Sequence, residues 1–225
     1  MIKGAVFDVD GTLLDSMSIW RDAGARYLKG IGIVAEPGLG EILFDMGLEE
    51  GAVYMKEKYS LELSEDQIVK GIIDGVRGFY EKEVQLKEGA AEFLKKLYEK
   101  KIPMVVATTS DRTYVEAAFE RLDILKYFSR IFTCTEVGKN KRQPLIYLKA
   151  AEWMGTDSKN TWVFEDVFYA VQTAKDAGFC VGAVFDKESE KDKDKICEKA
   201  DIYMKNLKDF EGFWEKAFTN GKNRL

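Results

Sequence analysis

The chain alternates short, nearly continuous apolar runs with longer stretches whose apolar positions recur at helical spacing. The first run is Lys3-Gly4-Ala5-Val6-Phe7. Others follow at Ile102–Ala107, Arg130–Thr133, Thr161–Phe164 and Phe179–Val184. Runs that are apolar throughout, not alternating, predict strands covered on both faces, as in a parallel sheet. Between them, Ala90, Phe93, Leu94 and Leu97 fall on one side of a helix, and Val115, Ala118, Phe119 and Leu122 repeat the pattern. Leu145–Trp153 and Ala170–Ala177 predict two more helices. Strand and helix in this alternation predict a Rossmann-like, doubly wound parallel α/β sheet with right-handed crossovers.

One stretch departs from the alternation. From Asp15 to about Lys82 no strand run occurs, and three helices are predicted, at Ser18–Lys29, Leu39–Tyr59 and Ser64–Lys82. Ser64 followed by Gln67 reads as a capping box. A crossover needs only about a dozen residues, so this insert is expected to form a small all-helical domain of its own. The expected division is therefore residues 1–15 with 84–225 as the α/β core, and 16–83 as a helical cap. Glu188–Lys199 carries charges of both signs and reads as a solvated turn and helix.

Composition narrows the chemistry. The 225 residues include no histidine, which removes Ser-His-Asp and Cys-His relays and His-ligated metal sites. The net charge of −5 disfavours a general nucleic-acid coat but allows an anionic small molecule in a local pocket. Cys134, Cys180 and Cys197 are too few and too scattered for a disulfide framework, and Cys134 and Cys180 are expected to fill core space. No apolar run is long enough to span a bilayer, and the first residues do not read as a signal peptide. A cytoplasmic monomer is expected, with a dimer left open and with neither a nucleic-acid nor a membrane partner.

Ligands of open α/β sheets sit at the carboxyl ends of the strands. There the chain delivers Asp8 and Asp10 after the first run, Thr108-Thr109-Ser110 after the second, Lys139, Lys141 and Arg142 after the third, and Glu165-Asp166 after the fourth. Crowded carboxylates repel unless a cation lies among them, and hard oxygen donors point to Mg²⁺. Lysine and hydroxyls beside such a cation suit a phosphoryl group. Asp8 can then attack phosphorus, and Asp10 can move the proton that imidazole would otherwise carry.

Phe7-Asp8-Val9-Asp10-Gly11-Thr12-Leu13-Leu14-Asp15-Ser16 resembles the first motif of the haloacid dehalogenase-like hydrolase superfamily, in its phosphatase and phosphomutase branch. Val105–Ser110 resembles the second motif. Lys141, ahead of Pro144 and Tyr147, resembles the third, and Val163–Asp166 with Ala170–Gly178 resembles the fourth. The helical insert matches the family's C1-type cap, as in the branch containing β-phosphoglucomutase and phosphoglycolate phosphatase. The resemblance implies Asp8 as nucleophile and metal ligand, and Asp10 as general acid/base whose main-chain carbonyl also reaches the metal. It implies Thr108 and the Thr109 amide as phosphoryl binders, Lys141 as the neutralising cation, and Glu165 and Asp166 as metal ligands, with Mg²⁺ as the metal.

Departures from the family pattern bear on the reaction. Asn140-Lys141-Arg142 replaces the usual Gly-Lys-Pro, and Glu88-Gly89 replaces the usual Pro-Gly before the helix that follows the cap. Mutases of the branch commonly carry a cap histidine where this chain has Trp20. They also carry a substrate loop with arginine where this chain reads Asp45-Met46-Gly47-Leu48-Glu49-Glu50. Both differences favour a phosphatase acting on a small phosphorylated metabolite over a sugar-phosphate mutase, and a non-catalytic interaction protein is disfavoured because every core charge the chemistry needs is present. Substrate choice is expected to fall to the cap, with Trp20, Arg21 and Arg77 as candidate contacts.

Overall fold

The computed structural model describes residues 2–44 and 46–222. The chain folds as two compact units, residues 1–15 with 85–225 and residues 16–84.

The first unit holds a parallel sheet of β1 (Gly4–Phe7), β2 (Met104–Thr108), β3 (Ile131–Thr133), β4 (Thr161–Glu165), β5 (Cys180–Val184) and β6 (Ile202–Met204), in the spatial order β3-β2-β1-β4-β5-β6. Five of these follow the apolar runs of the sequence, and β1, β2, β4 and β5 are buried at every residue. β6 escapes sequence reading because it is three residues long and half-exposed at its middle.

Burial on both faces explains the continuous apolar character. On one face Phe7 stacks on Phe164 with ring centroids 4.3 Å apart, and Phe93 meets both rings edge-on. Phe93 belongs to α5 (Ala90–Glu99). Phe213 packs on Phe93, Phe164 and Trp162 from a helix that the sequence pattern did not announce. On the other face Val6, Val105 and Val163 pack with Ile146, Tyr147, Ala150, Val171 and Ala174. The helices of this unit are α5, α6 (Arg112–Arg121), α7 (Cys134–Val137), α8 (Leu145–Trp153), α9 (Phe168–Asp176), α10 (Lys193–Lys199) and α11 (Phe210–Lys222). Cys180 is buried as expected, whereas Cys134 is only half-buried. Glu188–Lys199 forms a 3-10 turn running into α10.

The second unit consists of α1 (Met17–Gly30), α2 (Leu39–Phe44), α3 (Leu48–Lys58) and α4 (Glu65–Lys82). The single helix expected over Leu39–Tyr59 is two, because Gly47 is extended at φ −65° and ψ 160° and caps a new helix. Asp45, within the segment compared with the mutase loop, lies outside the described residues. The capping box at α4 is present in both directions: Ser64 Oγ accepts from the Gln67 amide at 3.2 Å, and Gln67 Oε1 accepts from the Ser64 amide at 2.9 Å. Leu28, Leu39, Ala52, Met55, Ile68 and Ile72 form this unit's own core. No helix among the described residues is long and apolar enough to cross a membrane.

Candidate active site at the sheet's switch point

The chain runs outward from β1 through β2 to β3, and returns to the other side of β1 to lay down β4, β5 and β6. The direction reverses between β1 and β4, which opens a crevice beyond their carboxyl ends. The Asp8 amide donates to the Phe164 carbonyl at 3.0 Å, so β1 and β4 deliver Asp8 and Glu165 side by side. After Asp8 the chain turns tightly. Leu13 and Leu14 amides both donate to the Val9 carbonyl, and Gly11 takes a φ of +83° that a residue with Cβ rarely adopts.

Asp8, Glu165 and Asp166 each offer a carboxylate oxygen within 4.8 Å of the others, and all three side chains are buried. Lys141, 2% exposed, sits against them, with Nζ donating to Asp8 and, at 2.8 Å, to Glu165. Glu165 Oε1 also accepts from the Tyr147 hydroxyl at 2.7 Å. The second oxygen, Oε2, is buried and has no hydrogen-bond partner among the described residues. Asp166 receives two long contacts at 3.4 Å, from the Thr12 and Ser189 hydroxyls.

Burial pushes the Asp8 carboxyl up to about 8. The Lys141 ammonium opposes that rise, while Glu165 and Asp10 add to it. Burial likewise lifts Asp166 well above the carboxylate range, helped by the charges of Asp8, Glu165 and Asp186. Burial works against the Lys141 ammonium, yet Asp8 and Glu165 outweigh it and hold the lysine charged. One lysine does not offset this set. Three buried carboxylates with an orphaned oxygen are a donor set that fits a divalent, oxygen-preferring cation.

Asp10 lies outside the three-carboxylate cluster. It is half-buried, and its Oδ2 accepts from the Ser110 hydroxyl at 2.5 Å. That bond separates Ser110 from helix capping, which falls to Asp111 through the Thr113 amide at 2.8 Å. The Thr108 hydroxyl is buried at the end of β2 and accepts from the Ser110 amide at 3.0 Å, while the Thr109 side chain is exposed. Lys139 and Arg142 are exposed; the Arg142 guanidinium lies 4.6 Å from the Tyr169 ring centre. In the second unit, Trp20 and Arg77 are exposed and Arg21 is half-buried; Arg77 lies 3.9 Å from Asp74.

Sequence reading missed one neighbour of the cluster altogether. Asp186, 4% exposed, follows β5 and accepts from Lys87 Nζ at 2.8 Å. The signal was available, since Asp186 ends an apolar run as Asp8 and Glu165 do. Lys87 and Ser189 carried no such signal, and Thr12 and Tyr147 stood out only within motifs.

A doubly wound sheet with buried carboxylates and one lysine at its switch point defines a class of α/β enzyme site. Over residues 5–184 the chain matches the family described as "Haloacid dehalogenase-like hydrolase", and it belongs to that family. Among curated proteins it is 26% identical over 208 residues to a validoxylamine A 7'-phosphate phosphatase of Streptomyces hygroscopicus subsp. limoneus, covering 92% of this chain and 95% of that one. It is 25% identical to a phosphorylated carbohydrates phosphatase of Thermotoga maritima, over 79% of this chain and 82% of the relative. A solved Thermotoga maritima structure described as a "putative beta-phosphoglucomutase" superposes with a TM-score of 0.84 over 96% of this chain and 99% of that one. At 22% identity, that likeness speaks to the fold.

Proposed function

We propose that the protein is a Mg²⁺-dependent phosphatase that hydrolyses the monoester of a small phosphorylated metabolite through an aspartyl-phosphate on Asp8. The observation that carries this reading is the placement of Asp8 at the switch point, against Lys141 and beside Glu165 and Asp166. The two phosphatase relatives support it by their chemistry.

Asp8, Glu165 and Asp166 would hold the metal. When bound, it offsets negative charge on the carboxylates and on the phosphoryl oxygens. Lys141 holds Asp8 in place and presents a fixed positive charge where the transferring phosphoryl group gains negative charge. The Asp8 carboxylate oxygen attacks phosphorus, the ester P–O bond breaks, and the leaving alkoxide takes a proton from Asp10. Water then attacks the phosphorus of the Asp8 adduct and gives its proton to Asp10, which restores both residues and releases inorganic phosphate. Ser110 holds one Asp10 oxygen and so orients the carboxyl that carries the proton. Thr108 and the Thr109 amide, at the end of β2, supply hydrogen bonds to the phosphoryl oxygens. Trp20, Arg21 and Arg77 are assigned to substrate choice.

The test is phosphate release from a panel of sugar, polyol and nucleoside monophosphates with added Mg²⁺. Activity that chelation abolishes and Asp8→Asn removes is expected. An Asp8→Asn variant with wild-type turnover overturns the assignment.

A further inference from the structure

We infer that Asp186 is a positioning residue that keeps Lys87 away from the metal-binding carboxylates, so that the cluster keeps the negative charge a divalent cation needs. The inference rests on the metal reading given above, and concerns residues outside the catalytic set.

Asp186 and Asp166 both pack over Gly11. A Cβ built at Gly11 would fall 2.4 Å from Asp166 Oδ2 and 3.3 Å from Asp186 Cγ. The two carboxylates are therefore close neighbours, and the charge of Asp186 is felt at Asp166. Asp186 uses its two oxygens differently. Oδ1 accepts from the Glu188 amide at 2.9 Å and so caps the turn at Lys187–Asp192, while Oδ2 accepts from Lys87 Nζ at 2.8 Å. The turn it caps carries Ser189, whose hydroxyl reaches Asp166.

Lys87 is largely buried, with its side chain 15% exposed, and its amide is tied to the Leu13 carbonyl at 2.8 Å on the same turn that carries Asp10 and Gly11. A buried ammonium needs a carboxylate partner. With Asn at position 186, Lys87 loses that partner, and Asp166, which packs over Gly11 beside residue 186 and receives two hydroxyls at 3.4 Å, is a neighbouring carboxylate for it to turn to. Lys87 then competes with the metal for Asp166. Asp186 prevents this by holding Lys87 in a closed pair, and it also fixes the turn from which Ser189 orients Asp166.

Asp186→Asn keeps the shape and the cap but releases Lys87, so divalent affinity falls, by about tenfold or more at the scale typical of residues that orient metal ligands. Lys87→Met together with Asp186→Asn removes the competitor, and affinity returns to near wild type. A purely structural role predicts the opposite order, with the double variant no better than the single one.

The experiment is Mn²⁺ binding to the full chain without substrate, read by the paramagnetic resonance signal of free Mn²⁺ and by calorimetry. The expected result is a loss of about tenfold in Asp186→Asn and recovery to within about threefold in the double variant. Lys87→Met alone, a second route should Asp186→Asn fold poorly, is expected to bind Mn²⁺ at least as tightly as wild type. Unchanged affinity in Asp186→Asn, a double variant as weak as the single, or a tenfold loss in Lys87→Met overturns the inference. A wild-type chain that binds no Mn²⁺ overturns the metal reading itself, and so separates the two failures.

Discussion

At the scale of single residues the site is a problem in charge. Asp8, Glu165 and Asp166 are buried together, and Lys141 is the one cation in direct contact with Asp8 and Glu165 among the described residues. Because burial raises the Asp8 carboxyl from 3.8 to about 8, the folded state holds that proton more tightly than the unfolded state does. This contribution to stability is full below pH about 4, and is lost as pH rises through about 8. In the presence of chelator, Asp8→Asn should therefore gain stability relative to wild type between pH 5 and 8. Urea unfolding of both proteins at the two pH values measures the difference; a flat difference, or one that moves toward wild type, contradicts it. The residues of this cluster were legible in the sequence as carboxylates and a lysine beside strand ends. Asp186 carried the same strand-end signal and was passed over, whereas Lys87 and Ser189 were not legible, because they meet Asp186 and Asp166 only through the folded chain.

At the scale of elements, the turn after β1 bears the tightest requirement. Gly11 combines a φ of +83° with an Asp166 oxygen where a Cβ would stand. Gly11→Ala should displace Asp166 and weaken Mn²⁺ binding about 10- to 100-fold, read by calorimetry, while the chain remains folded by circular dichroism. Wild-type affinity in that variant would mean the turn does not set Asp166. The α4 capping box is a separate matter. Ser64→Ala removes the acceptor for the Gln67 amide and should cost about 1 kcal/mol in urea unfolding. A loss below about 0.3 kcal/mol would show that the cap contributes little.

Elements were read with uneven success for physical reasons. Strands buried on both faces announce themselves as apolar runs, and α4 shows Ile68, Ile72, Val76 and Phe79 at helical spacing. The helix expected over Leu39–Tyr59 failed because α2 ends at Phe44 and a new helix starts at Leu48 behind the extended Gly47, while the sequence shows no break in apolar spacing there. β6 failed because it is as short as β3 and, unlike β3, half-exposed at its middle.

At the scale of the whole molecule, each unit has a core of its own. The points where the α/β unit gives way to the insert and resumes after it meet: the Asp15 amide donates to the Gln85 carbonyl at 2.9 Å, and Leu14 bridges to Leu86. Replacing residues 16–84 with a short Gly-Ser turn should leave the α/β unit able to unfold cooperatively and to bind Mn²⁺. A product without a cooperative transition would show that the sheet depends on the insert. The acidic net charge, read from composition, gave no hint of an anionic substrate. In the proposed reading the site concentrates carboxylates to recruit a cation, and that cation, with Lys141 and the hydrogen bonds of Thr108 and the Thr109 amide, would make it receptive to phosphate.

The central claim is that Asp8 becomes covalently phosphorylated. Its most direct test is acid quenching of the enzyme during turnover of a ³²P-labelled phosphate ester that the wild type hydrolyses, followed by peptide mapping. Label on the peptide containing Asp8, released by hydroxylamine and absent in Asp8→Asn, is the predicted result. Label on another residue would contradict the account.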